Sequence, residues 1–341
     1  MTRRAPLALL ALLALLALAG CGGGDPEETG APQLDPPRAT EPALAPPTDG
    51  TPPGRIVKVG ARPEGVAIDP QTRLAAVAVR SPDRLVLVEL ATGRVRREVR
   101  MPGTVRHVGL ARPGGPFLVP VESADALVEV NPRTGATRTT KVGDYPHDAT
   151  AVGDRIFAAD EFGSTMSVIR DGKRVGQVPV DAQPGNVVAV DDRVAVIAVR
   201  SYTVELYDAT VDAPRGGGSQ SAGLGPSHAV VGPEGRLAIG DTRGKALMVY
   251  DTRPELRFRA RVPLDGTPVG LAADADRGVV WVALSERNRV VPVDLRGKEP
   301  EIGEPVKTVR NPFSVAVDPA GGLAIASRTD GTLQLTPAPR G

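Results

Sequence analysis

An all-β ring of seven four-stranded blades is the fold this sequence predicts, on three observations. The first is a phrase restated seven times between Pro63 and Pro312: a small turn usually holding Pro, a short apolar run, then Asp-Pro or Gly. It reads PEGVAIDP at 63–70, VRHVGLARP at 105–113, PHDATAVGD at 146–154 and PGNVVAVDD at 184–192. It continues as PSHAVVGP at 226–233, PVGLAADAD at 268–276 and PFSVAVDP at 312–319. The anchors Pro63, Val105, Pro146, Pro184, Pro226, Pro268 and Pro312 are 42, 41, 38, 42, 42 and 44 residues apart. A period near 40 made of short β-type runs is the mark of one blade per repeat. The second observation is the continuous apolar character of the strand that follows each phrase, and the third is that the two ends of the chain complement each other.

Ahead of the repeat, residues 1–21 read as a targeting segment that stands outside the fold. Arg3 and Arg4 make a positive start, and Leu7 to Ala19 is almost pure Leu and Ala. Leu18-Ala19-Gly20-Cys21 closes it. That tetrapeptide resembles the bacterial lipobox, whose small residues admit a peptidase before a Cys that carries lipid, and it implies lipidation at Cys21. The apolar run falls short of the ~20 residues that span a bilayer, and Cys21 is the only cysteine. The expected location is the cell membrane, lipid-anchored on the extracytoplasmic side. Residues 22–53 are dense in Pro, Gly and charge with little to bury, so a disordered tether is predicted there. Its reach is up to ~100 Å at ~3 Å per residue. The folded part, 54–341, holds no cysteine pair, so its stability must come from its core.

Blade 1 can be read strand by strand. Val66-Ala67-Ile68 is the inner strand, Asp69 to Thr72 a turn, and Leu74 to Val79 (LAAVAV) the second strand. The unbroken apolar run means both faces are buried, as between neighbouring blades. Leu85 to Leu90 is the third strand and the more polar Arg94 to Met101 the outer one. Second strands recur as RIFAAD, RVAVIAV, RLAIGD, GVVWVAL and GLAIAS, and third strands as ALVEVN, TVELYD, LMVYDT and RVVPVD. The last repeat lacks a fourth strand. GRIVKVG at 54–60 has outer-strand character and precedes the first inner strand, so pairing it beside the C-terminal strand closes the ring and removes an open edge. The tandem glycines Gly216 to Gly218 read as a flexible loop.

These strands resemble the YVTN-type propeller repeat over nearly all of 54–341, departing at blade 4, where VDAPRGGGSQSA (211–222) replaces a clean outer strand. The resemblance implies a seven-bladed propeller of the kind found in surface and periplasmic proteins. It specifies an architecture strongly and an activity weakly.

Function must therefore come from the loops. In a propeller the loop before the inner strand and the loop after the second strand open on one face. The chain's three histidines all fall in the first set: His147 directly after its anchor, His107 and His228 two places after theirs. In the second set stand Glu122, Asp160 with Glu161, and Asp241, in the same three blades, with Asp148 nearby. Other blades put Arg80, Arg200 and Arg328 at the matching position, and Arg106 and Arg310 lie close. His with Asp or Glu is a competent set for a divalent metal or for acid–base work; His147, His228, Asp160 and Asp241 are the metal candidates. A mixture of His, acid and Arg around a central opening also suits an anionic ligand. The same residues can instead bond neighbouring turns and pair across blades.

Several chemistries are absent from the sequence. There is no CxxC, HExxH, P-loop, GxSxG elbow or GxGxxG after a strand. Basic and acidic totals of 41 and 40 with 3% aromatics provide neither a basic stripe nor a stacking platform for nucleic acid. Trp281 sits in a buried-looking strand. The reading is a monomeric binding or scaffolding module with no expected cofactor, tied to the membrane through Cys21, whose partner is an envelope protein or a small anionic ligand. The alternative is a metal-assisted hydrolase or lyase at the channel, since propeller lactonases and streptogramin lyases resemble this architecture.

Overall fold

The computed structural model describes residues 41–337; the leader, Cys21 and the first part of the expected tether lie outside the described residues. Each of the seven phrases supplies the innermost strand of an antiparallel sheet. For blades 1 to 7 these are Pro63–Asp69, Gly109–Leu110, Pro146–Val152, Pro184–Val190, Pro226–Val231, Pro268–Asp274 and Pro312–Val317. Neighbouring inner strands touch in that order, and blade 7 returns to blade 1. Six sheets have four strands. In blade 6 the outer edge is split into Glu301–Ile302 and Val306–Lys307, both paired with Arg289–Asp294. The fold is a seven-bladed β-propeller.

The core is seven apolar wedges, each between two neighbouring blades. Side chains alternate along a strand, so Ala75, Val77 and Val79 of blade 1 pack toward blade 7 while Ala76 and Ala78 pack toward blade 2. All five are completely buried. This is the physical content of the unbroken apolar runs. A fully buried Val or Leu contributes about 2 kcal/mol, and Trp281, 2% exposed, fills the wedge between blades 6 and 7. The Asp that ends the first phrase has a second task. The Asp69 carboxylate accepts the N–H of Gln71 and Thr72 within its own turn and that of Gly114 in blade 2, at 2.7 Å.

The N-terminal strand Arg55–Lys58 pairs with Thr332–Leu335, in the register Arg55 to Leu335 through Lys58 to Thr332. Gln334 clasps this junction from the inside. Its buried amide accepts the Val309 N–H at 2.8 Å and donates to the carbonyls of Pro53 at 2.8 Å and Lys307 at 3.3 Å.

Two stretches differ from expectation. Gly216–Ser221 is not a loop but the outer strand of blade 4, paired with Thr203–Asp208 and exposed throughout. An outermost strand packs against nothing further out, so backbone N–H and C=O groups suffice and glycine can serve. Within the expected tether, residues 41–53 lie along the propeller. Asn311 Nδ2 donates to the Ala43 carbonyl (3.1 Å), Arg310 Nε to that of Ala45 (2.9 Å) and Asn288 Nδ2 to that of Pro46 (2.9 Å). Ala45 is 2% exposed and Pro52 is buried.

Deleting residues 54–60 should lower the free energy of unfolding by several kcal/mol, because it bares a strand edge and the Val59 side of the wedge between blades 7 and 1. Urea melts would show it. An unchanged midpoint would rule out this closure as a stability element.

Candidate functional site

The inner strands converge at one end of the channel, and the repeat spacing stacks their first residues in rings. The position after each anchor holds Glu64, Arg106, His147, Gly185, Ser227, Val269 and Phe313; the next holds Gly65, His107, Asp148, Asn186, His228, Gly270 and Ser314. Six of the first ring line a mouth of about 210 Å³, together with Glu41, Pro42, Tyr145, Glu161 and Phe162. A second cavity of about 190 Å³ lies along the inner strands beyond it. Arg106, His107, His228 and Phe313 border both and form a septum between them.

Much of the second ring satisfies backbone. The N–H that follows it in the next blade donates to its side chain: Val66 to Ser314 Oγ (3.1 Å), Val187 to Asp148 Oδ2 (3.0 Å) and Ala229 to Asn186 Oδ1 (2.8 Å). Asn186 also donates its amide to Asp148. Blade 2 breaks the rule. Val105 makes only an isolated bridge to Val121, and Arg106 to Val108 stand outside the ladder. Gly65 permits this: its N–H donates to the Arg106 carbonyl at 2.7 Å, and a Cβ on it would meet that oxygen at 2.6 Å.

The three histidines meet. His107 stacks on His228 with ring centres 4.8 Å apart and tilts against His147 at the same distance. Phe313 packs edge-on to His228 at 6.2 Å, under the Arg328 guanidinium at 5.0 Å. An ion-pair network surrounds them. Glu122, fully buried, contacts Arg80 (2.9 Å), Arg106 (3.2 Å) and His147 Nδ1 (3.2 Å). His147 Nδ1 also lies 2.9 Å from Glu161, and His107 Nδ1 3.5 Å from Asp148. The contacts of His147 have the angles of ion pairs rather than of directed hydrogen bonds. Glu64, also fully buried, sits 3.1 Å from Arg328 and 3.6 Å from Arg80.

These neighbours separate the titrations. Burial alone would raise Glu122, but His147, Arg106 and Arg80 outweigh it and hold the carboxyl at about 2. Burial would depress His147, yet the contacts with Glu122 and Glu161 push it up to about 9. His228 goes the other way, held well below the usual histidine range by burial first and then by His107, His147 and Arg106. Glu64 is raised by burial, against the pull of Arg328, Arg80 and Arg106.

Of the residues expected here, His107, His147, His228, Glu122, Glu161, Arg80 and Arg328 come together. Asp160, Asp241 and Arg200 do not. Asp160 turns to the Gly143 N–H and the hydroxyls of Thr165 and Ser167. Asp241 caps the N–H groups of Leu224, Gly225 and Gly244. Arg200 is exposed. No group of three or more His, Cys, Asp or Glu among the described residues is arranged to hold a metal ion. The donors nearest to such a set are engaged elsewhere, Glu122 and Glu161 by His147 and Asp148 by Asn186 and the Val187 N–H. Glu64 and Phe313 were missed by sequence reasoning, although they share the slot of His147 directly after the anchor proline. So was the stacked pair Tyr145–Phe162, with ring centres 4.3 Å apart at the rim.

No family model and no curated protein sequence matches the chain. Solved structures do. A chain of Kuenenia stuttgartiensis hydrazine synthase is similar with a TM-score of 0.72 at 16% identity, covering 83% of this chain and 97% of that one. Virginiamycin B lyase from Staphylococcus aureus is similar at 0.68 and 13%, covering 83% and 99%. The WD40 repeats of RRP9 are similar at 0.68 and 10%, covering 84% and 99%. At such identities the likeness is one of fold.

The pair of His147 with its carboxylates has a pH signature. A folded-state value near 9 against an ordinary 6.5 means the stabilisation is complete below about 6.5 and lost as pH rises through about 9. His147→Gln should therefore cost about 3 kcal/mol at pH 6 and much less at pH 10, by denaturant unfolding of both chains. A gap that stayed constant between the two would refute the charged state of His147.

Proposed function

We propose that the chain is a binding module whose channel mouth captures a small anionic ligand, or an acidic side chain of an envelope partner, while lipidated Cys21 holds it on the extracytoplasmic side of the cell membrane. The observation that carries this is the mouth itself. It is a cavity of about 210 Å³ with Arg106 and aromatic walls, whose acids Glu41 and Glu161 are already committed to cations. Glu122 bonded to three cations has no basicity left for proton abstraction, whereas Arg106 borders the open space of the mouth and Arg328 reaches it through its ion pair with Glu41. Phe162, 54% exposed against Tyr145, offers an apolar face beside them.

A second reading rests on one observation. His147 and His228 border the same mouth with their titrations driven in opposite directions, the arrangement of an acid and a base. Similarity in fold to a lyase agrees with it without adding to it. A hydrolase or lyase working through these two histidines, with or without a divalent metal, is the rival to capture.

Two measurements decide. Cys21→Ala should move the protein out of the membrane fraction; retention there would end the anchor proposal. Immobilised protein should capture a ligand from envelope extracts, and Phe162→Ala should weaken that capture about tenfold, the cost of one well-placed aromatic contact. No capture, together with substrate turnover that His228→Ala abolishes, would favour the second reading.

A further inference from the structure

Segment 41–53 places a carboxylate in the mouth. Glu41 Oε2 lies 2.8 Å from Arg328 Nη1, and its other oxygen is 4.0 Å from Arg106 Nη1. Behind it the chain is pinned through carbonyls at 43, 45 and 46 by Asn311, Arg310 and Asn288, so the carboxylate is delivered by a defined extended backbone.

The charge of the mouth accounts for an anion at this point. Arg80, Arg106, Arg328 and His147 are in mutual contact with Glu64, Glu122 and Glu161, four cations against three carboxylates even with Glu64 counted as ionised. Glu41 brings the two signs level. Glu64 and Glu122 cannot leave, being fully enclosed, while the Glu41 side chain is still 61% exposed. It is the most exposed member of the set and the one carried on a segment outside the blades.

We propose that the mouth takes a small carboxylate on Arg106 and Arg328, that Glu41 is the chain's own stand-in for that group, and that ligand binding lifts segment 41–53 from the face. The proposal rests on the mouth as the binding site and names its ligand class and its gate. Arg328 is suited to the task because its guanidinium is braced on both sides, by Glu64 at 3.1 Å and by the Phe313 ring, leaving Nη1 to donate to Glu41 at the mouth. Such a braced fork matches a carboxylate with little ordering on binding. The size of the mouth suits a molecule of few atoms, and the walls of Phe313, Tyr145 and Phe162 suit one with a flat apolar part.

Benzoate, with benzamide as its uncharged counterpart, tests this on the full chain by calorimetric titration. Wild type should bind benzoate and not benzamide. Glu41→Gln should bind benzoate about fivefold more tightly, since an ion pair with a solvent-exposed partner has been removed from the competition. Leu44, 77% exposed on the same segment, reports the lift. In a Leu44→Trp chain benzoate should lower the fluorescence anisotropy, and benzamide should not. Equal benzoate affinities in wild type and Glu41→Gln, or an anisotropy that ignores bound benzoate, would overturn the stand-in role. Benzamide binding as well as benzoate, or neither binding, would overturn the carboxylate class. Capture by the Phe162→Ala chain judges the mouth as a site independently of either outcome.

Discussion

Seven inner strands face one channel, and no ladder of backbone hydrogen bonds joins one blade's inner strand to the next; the Gly65 N–H on the Arg106 carbonyl is a single bond across one boundary. Their channel-side N–H groups must find partners or stand orphaned at a cost of about 1–3 kcal/mol each. The chain answers with side chains offset by one blade: Ser314 serves Val66, Asp148 serves Val187 and Asn186 serves Ala229. These bonds stitch neighbouring blades together at the axis. They also explain why polar residues recur just after the anchors, where the channel narrows. The site is built from what this belt leaves over. Where the belt needs no side chain, as at Gly65, or where blade 2 leaves its ladder, room opens for the histidines and Arg106 to occupy the axis.

A buried charge is tolerable only when paired, and the mouth carries that demand to completion. Glu122 and Glu64 are shut off from solvent, and each is met by two or more cations drawn from different blades. Arg80 bridges both carboxylates and so links blade 1 to blade 2, while Arg328 brings blade 7 to blade 1. Losing any one partner leaves an uncompensated ion in a dry place, a penalty of about 3–5 kcal/mol. The network thereby fixes the guanidinium groups in position before any ligand arrives. Preorganisation of this kind favours recognition, because the ordering of side chains has been completed on folding.

The architecture was legible because it is periodic. Even spacing, runs buried on two faces and complementary ends each state a geometric requirement of a closed ring, and strands 55–58 and 332–335 meet it. The histidine cluster was legible for the same reason: offsets of one or two places from the anchors bring residues to adjacent levels of the axis. Glu64 and Phe313 obey that rule too, directly after Pro63 and Pro312, but a lone Glu or Phe in a repeat announces no role by its residue type. Asp160 and Asp241 stand at the right place in their strands, but the chain turns there, and nearby N–H and hydroxyl groups draw the carboxylates into the turns. Gly216–Ser221 misled because composition reports what a segment can bury, and an outer strand needs to bury nothing.

Segment 41–53 shows the same limit from the other side. Pro, Ala and Glu in its sequence announce little core, so a free tether follows from composition alone. Its order comes from receptors elsewhere in the chain, Asn288, Arg310, Asn311 and Gln334, whose amides and guanidinium read backbone carbonyls and are blind to side-chain type. Binding through carbonyls is weak per contact and easily exchanged with water, which suits a segment meant to come and go better than one meant to seal. The specific contact is the ion pair at its leading end, placed over the arginines that the buried network holds ready. Fold closure and ligand access are thus joined through one stretch of chain: Pro53 leads into the strand that completes blade 7, and twelve residues upstream in the same run stands the carboxylate at the mouth.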